Sequence, residues 1–156
     1  KIAMEELNEQ IQSLLKEDPK VCLAASSLGG FMAMLLSIKY DLKVALVNPC
    51  LYPVKFVRDN NYVGAILKNF DTGHEFKIEE SDLEYLEEQE ALLPKFNLKN
   101  ASVFLQAGDE VLDYTYALKF FMRGGVGGFS LKDGGSHGYD DFEEEVGKIV
   151  EFFKKV

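Results

Sequence analysis

Ser27, Asp109 and His137 have the types, the order and the settings that nucleophilic chemistry requires. Ser27 lies in Ala25-Ser26-Ser27-Leu28-Gly29-Gly30, directly behind the apolar run Val21-Cys22-Leu23-Ala24. A β-like stretch, a small-x-Ser-x-Gly turn and a helical pattern outline a nucleophile elbow, a strand-to-helix turn so tight that small residues must flank the serine. Asp109 follows an apolar run in Gly108-Asp109-Glu110-Val111, and His137 follows another in Gly134-Gly135-Ser136-His137-Gly138. A serine hydroxyl is a weak nucleophile until a base takes its proton. Imidazole is suited to that task, and a carboxylate on its other nitrogen holds it in one tautomer. The backbone N–H of Leu28, at the start of the helix, would donate to the developing oxyanion. The sequence supplies no second donor.

Each residue also has a purely structural reading. Ser27 fits a helix N-cap, and Asp109 after a glycine fits a turn residue. Asp113 is a rival acid, read as the N-cap of a helix beginning at Tyr114. His137 is harder to place structurally, because a histidine among loop glycines has little to support. His74 lies away from any strand end and reads as a surface residue. Neither a metal nor an organic cofactor is expected. Ser27-Leu28-Gly29-Gly30 lacks the glycine spacing and the acidic partner of a dinucleotide site.

The positioning elements follow from periodicity. Residues 2–17 carry Ile2, Met4, Leu7, Ile11, Leu14 and Leu15 at helical spacing, closed by Asp18-Pro19. Strands are expected at 21–25, at 43–47 (stopped by Asn48-Pro49), at 102–106 and at 126–131. Helices are expected at 29–40, 114–122 and from Asp140 or Asp141 to Phe153. Continuous apolar strands alternating with helices indicate a parallel sheet covered on both faces, a three-layer α/β domain over 1–156. Parallel strands direct all their C-terminal loops to one edge, where Ser27, Asp109 and His137 would converge. The stretch 51–94 breaks the pattern with turns at Tyr52-Pro53, Asn60-Asn61 and Asp71-Thr72-Gly73 and a helical acidic stretch from Ser81 to Leu93. It is long for a connection and is read as a lid-like cover.

Nothing before Val21 reads as a strand, so the elbow strand would be an exposed apolar edge, which proteins avoid. The chain also starts with lysine. An N-terminal segment of roughly 40–70 residues with one or two strands is therefore expected to precede it, from the length of βα units.

Of the 156 residues, 17 are basic and 26 acidic, a formal charge of −9 that disfavours nucleic acid or an anionic membrane as partner. The acidic clusters at 79–82, 87–90 and 140–145 read as solvated helix faces. Cys22 and Cys50 read as buried thiols. No signal peptide and no run of about 20 apolar residues is present, which suggests a cytoplasmic protein.

On these residues the chain resembles the YqiA-type esterases, a bacterial family of the α/β-hydrolases. The resemblance extends over almost the whole chain: the elbow Ser26-Ser27-Leu28-Gly29-Gly30, Val47-Asn48-Pro49, Thr72-Gly73, Gly108-Asp109-Glu110-Val111-Leu112-Asp113-Tyr114, Gly134-Gly135-Ser136-His137 and Phe142-Glu143. It departs at Ala25, where the family has glycine, and at Ser136, where asparagine is frequent. The resemblance implies nucleophile Ser27, acid Asp109 and base His137, acting on small or medium acyl esters or thioesters through an acyl-enzyme. It also implies an α/β-hydrolase fold whose first strand, with the second oxyanion donor, is not in the sequence. The alternative is a catalytically silent binding protein of that fold.

Overall fold

Side chains of the two central strands point alternately to opposite faces and are buried on both, and this sets the layers. The computed structural model describes residues 2–69 and 72–155, so Asp71 of the expected 71–73 turn lies outside the described residues. In chain order the elements are α1 (Ile2–Glu17), β1 (Cys22–Ser26), α2 (Ser27–Tyr40), β2 (Lys43–Pro49), α3 (Pro53–Asp59), β3 (Ile66–Lys68), β4 (Glu75–Lys77), α4 (Glu80–Glu90), β5 (Ala101–Gln106), α5 (Tyr114–Phe121), β6 (Gly128–Lys132) and α6 (Glu143–Lys154).

β1, β2, β5 and β6 form one parallel sheet in that order. Val44, Leu46, Val103 and Leu105 point to one face, where Phe31, Met34 and Leu35 of α2 and Ala117, Phe120 and Phe121 of α5 cover them. Ala45, Val47 and Phe104 point to the other, against Ile149 of α6 and Tyr139, which precedes that helix. α1 packs through Ile11 onto Leu36 and Leu42. Each large apolar side chain buried in these layers contributes about 1.5–3 kcal/mol. β1 lies at one edge of this sheet, with Ala24 and Ser26 exposed.

The stretch 51–94 folds as α3, a two-stranded antiparallel hairpin of β3 and β4, and α4. Tyr52-Pro53, expected as a turn, opens α3 with the proline in its first turn, where a missing N–H costs nothing. Glu90 at the end of α4 accepts from the N–H of Val54 at 2.8 Å, tying α4 to the start of α3. Burial raises the Glu90 carboxyl, and the Val54 bond opposes that.

Three sequence expectations need correction. β2 does not stop before Asn48-Pro49; it runs through both, with Asn48 in the left-handed region at φ 39° and Pro49 bridged to Ser27. α6 begins at Glu143, because Tyr139 and Asp141 both adopt positive φ and turn the chain before it can coil. The acidic run 140–145 is not wholly solvated. Glu145 is completely buried, between Lys148 (2.7 Å), Lys132 (3.2 Å) and the Tyr139 hydroxyl (3.3 Å). Burial pushes this carboxyl up, but the two ammonium groups hold it below the usual carboxylate range. Both cysteines are free thiols, Cys50 buried and Cys22 half-buried. Among the described residues no helix is long and apolar enough to cross a membrane.

Candidate active site

The turn from β1 into α2 leaves no room for ordinary backbone. Ser26 is still extended at φ −119°, and Ser27 is the first helical residue yet has φ 50°. Such a conformation costs a non-glycine residue of order 1–3 kcal/mol. It is held by the Cys50 N–H donating to the Ser27 carbonyl at 2.9 Å. A Cβ on Gly30 would lie 2.8 Å from the Pro49 Cβ, so only glycine lets α2 approach the end of β2. At Gly29 it would meet the Ala25 Cβ at 3.8 Å, an ordinary contact that explains why alanine serves at 25. The N-cap of α2 is Ser26, so the Ser27 hydroxyl is not a cap.

That hydroxyl lies 3.0 Å from His137 Nε2. His137 Nδ1 in turn lies 2.9 and 3.0 Å from the two Asp109 carboxylate oxygens. With the proton on Nδ1, the imidazole donates to Asp109 and accepts from Ser27. The Asp109 side chain is 1% exposed, that of His137 22%. Asp109 Oδ1 also accepts the N–H groups of Val111 and Leu112 at 2.9 and 2.8 Å, so the carboxylate is both buried and satisfied. The rival Asp113 is instead the N-cap of α5, accepting from Thr115 N at 2.9 Å. Hydrogen bonds from the Thr115 hydroxyl and then from its N–H hold this carboxyl below the ordinary value. His74 lies exposed beside the β3–β4 hairpin. Leu28 lies in the first turn of α2, where backbone N–H groups have no intrahelical acceptor.

Two residues that sequence reasoning passed over as strand ends hold the His137 loop in place. Asn48 and Gln106, each 2% exposed, stand at the C-terminal ends of adjacent strands, Asn48 next to last in β2 and Gln106 last in β5. The Asn48 amide donates to the carbonyls of Ser136 and His137 at 3.0 and 3.2 Å, and its oxygen accepts from Gln106 N at 3.0 Å. The Gln106 oxygen accepts from the N–H groups of Ser136 and Asp140 at 2.9 and 2.8 Å, and its nitrogen donates to the Asp140 carbonyl at 2.8 Å. Glu110 accepts from His137 N at 2.9 Å, and that bond lowers its own carboxyl. A polar residue closing an otherwise apolar strand was the one signal available for Asn48 and Gln106. Gly108 packs against the Gly134–Gly135 backbone so tightly that a Cβ would approach to 2.5 Å.

A pocket of about 220 Å³ lies between α3 and the start of α5, with Pro49 and Cys50 in its lining. Leu51, Tyr52 and Phe56 face Val111, Leu112 and Tyr116 across it. The Tyr52 and Tyr116 rings meet edge to face at 5.7 Å. Among the described residues no group of side chains could hold a metal ion.

The model of an uncharacterised protein family, UPF0227, matches residues 1–154. Similar solved structures include Est1E from Butyrivibrio proteoclasticus with ferulic acid bound, at 20% identity and TM-score 0.61, covering 92% of this chain and 64% of that one. A monoacylglycerol lipase of Paleococcus ferrophilus matches at 17% identity and TM-score 0.63, covering 96% and 74%. An esterase of Pyrococcus furiosus matches at 16% identity and TM-score 0.53, covering 97% and 61%. At these identities the likeness is one of fold, the α/β-hydrolase fold. The chain spans about 64% of the length of Est1E.

Proposed function

The chain belongs to UPF0227, the YqiA-like family, and from that premise we propose that it is a serine carboxylic-ester hydrolase acting on small or medium acyl esters or thioesters. The observation that carries this reading is the continuous Ser27–His137–Asp109 hydrogen-bond chain at the C-terminal edge of a parallel sheet.

In this reading Ser27 Oγ attacks the substrate carbonyl carbon while its proton passes to His137 Nε2. Asp109 accepts the Nδ1 proton in a hydrogen bond and stabilises the imidazolium without itself taking the proton. The Leu28 N–H donates to the tetrahedral oxyanion. The intermediate collapses, and the alcohol or thiol leaves with the proton from His137. Water then attacks the acyl-enzyme, giving its proton to the same nitrogen, and the free acid departs as Ser27 is restored. No step calls for a metal or an organic cofactor. The positive φ of Ser27 supports the reading, since strain of this kind aims the hydroxyl out of the sheet. The excursion 51–94 fits a cover over one side of this centre, because α3 walls a pocket that also includes Pro49 and Cys50, the two residues held to the Ser27 backbone.

The test is intact-mass spectrometry after treatment with a fluorophosphonate, with Ser27→Ala as control. A single adduct on Ser27, absent from the variant, is expected. An unlabelled protein overturns the reading.

A further inference from the structure

We propose that the outer edge of β6 and the adjoining side of α6 form the interface of a two-fold symmetric homodimer. In it β6 pairs antiparallel with β6 of a second copy, and α6 lies antiparallel beside the α6 of that copy. This goes beyond the hydrolase reading and stands without it.

β6 ends the sheet, and among the described residues no strand pairs with its outer side. An open edge offers a row of unpaired N–H and C=O groups, which proteins ordinarily protect with proline, a bulge or an outward charge. Gly128-Phe129-Ser130-Leu131-Lys132 contains no proline. Its register against β5 runs without a break from Gly128 to Lys132, so it has no bulge. Its one charge, Lys132, is drawn to Glu144 and Glu145. Phe129 and Leu131, in register with Val103 and Leu105, stand exposed on the sheet face that α2 and α5 share.

The side of α6 turned to this edge tells what covers it. Lys148, Glu151 and Lys155 line one groove with Gly128, Phe129 and Ser130, and Glu144 reaches Lys132. Glu144, Lys148, Glu151 and Lys155, the last being the C-cap residue, follow one another at helical spacing as a single stripe of alternating sign. Laid antiparallel on a copy of itself, about an axis between Ile149 and Val150, the stripe sets Glu144 opposite Lys155 and Lys148 opposite Glu151. No like charges then face each other, whereas a parallel arrangement would make every facing pair alike. Among the described residues Glu151 and Lys155 form no ion pair of their own, and the side chains of Glu144 and Lys148 remain exposed. A chain of formal charge −9 repels its copies in general, so a stripe of zero net charge is where two of them can meet.

One axis serves strand and helix together. Lys132, at the end of β6, meets Glu144 and Glu145 at the start of α6, and Gly127, before β6, packs against Phe152 near the end of the helix. Ser130, the middle of β6, is therefore level with the middle of α6. Antiparallel strand pairing uses a two-fold axis perpendicular to the sheet, which keeps both α6 helices on one face and running in opposite directions. On the other face Phe129 then stands opposite Leu131 of the second copy, an apolar cross-strand pair.

The experiment is sedimentation velocity over about a hundredfold range of protein concentration. It is run on the protein and on Leu131→Glu, Lys155→Glu and Glu144→Lys, with thermal melts to confirm that the variants are folded. Expected is a concentration-dependent dimer of the parent. Leu131→Glu puts a charge into the apolar pair, and each of the other two sets like charges face to face, so each should weaken the dimer at least about tenfold. An equimolar mixture of Lys155→Glu and Glu144→Lys restores opposite signs at both positions and should recover the dimer, which a merely structural effect of either substitution would not do. A parent that stays monomeric throughout, assemblies that grow beyond the dimer, a dimer indifferent to all three variants, or a mixture that stays monomeric overturns the proposal.

Discussion

His137 Nε2 lies 3.0 Å from Ser27 Oγ although 110 residues of chain separate them. The contact depends on two strand ends, one loop and one buried carboxylate arriving together.

Asp109→Asn leaves a group of the same shape whose Oδ1 can still accept from the Val111 and Leu112 N–H groups, but it sets an amide NH₂ where Oδ2 accepted the Nδ1 proton of His137. Ester hydrolysis should fall about 10⁴-fold in kcat, with the melting temperature little changed. Steady-state kinetics beside a thermal melt checks this. Activity within tenfold of the parent would remove Asp109 from the mechanism.

Gln106→Ala deletes the acceptor of two backbone N–H groups that hold the His137 loop. Leaving such groups unpaired costs about 1–3 kcal/mol, to be measured by urea unfolding. Fluorophosphonate labelling of Ser27 should slow as well, since the imidazole loses its aim. A variant destabilised yet labelled at the parent rate would show that the clamp supports the fold alone.

Gly30→Ala puts a methyl group 2.8 Å from the Pro49 Cβ, which cannot swing aside. Overpacking of this kind costs about 1–3 kcal/mol. Gly29→Ala, with 3.8 Å available, should be close to neutral. The two melting temperatures, compared side by side, test how tightly the elbow is built.

Glu145 predicts a pH dependence. Its carboxyl is held below the ordinary range in the folded protein by Lys148 and Lys132, against the opposing effect of burial. A depressed folded value means the stabilisation is present above the unfolded carboxylate value of about 4.3 and is lost as pH falls through the folded one. Glu145→Gln should therefore destabilise by roughly 1–3 kcal/mol at pH 7, and the difference from the parent should shrink as pH drops below about 4. Urea midpoints across that range decide it.

Cys50 should resist alkylation. Burial pushes its thiol up to about 11, so at pH 8 almost no thiolate is present to react. Iodoacetamide at that pH should modify Cys50 only after unfolding, as mass spectrometry would read directly. Rapid modification of the native protein would show that the floor of the pocket opens.

The strand-end settings of Ser27, Asp109 and His137, which the fold brings into contact, were legible in the amino-acid sequence because their signals are local. A nucleophile elbow needs small residues within two or three positions of the serine, a turn acid follows its strand directly, and a loop histidine stands among glycines. The α/β layering was legible too, since it follows from period and run length. The left-handed turns at Tyr139 and Asp141 were not, because tyrosine rarely adopts that conformation and aspartate adopts it only where its surroundings require it, so the sequence puts the start of α6 too early. Asn48 and Gln106 became a clamp only through the register of β2 against β5, with Val47 opposite Phe104. Glu145 was drawn inside only because Lys132 and Lys148 are there to receive it. The pocket exists only where α3 and α5 pack side by side. Local propensity acts over a few residues; which distant groups meet is decided by packing, and packing needs the whole fold at once.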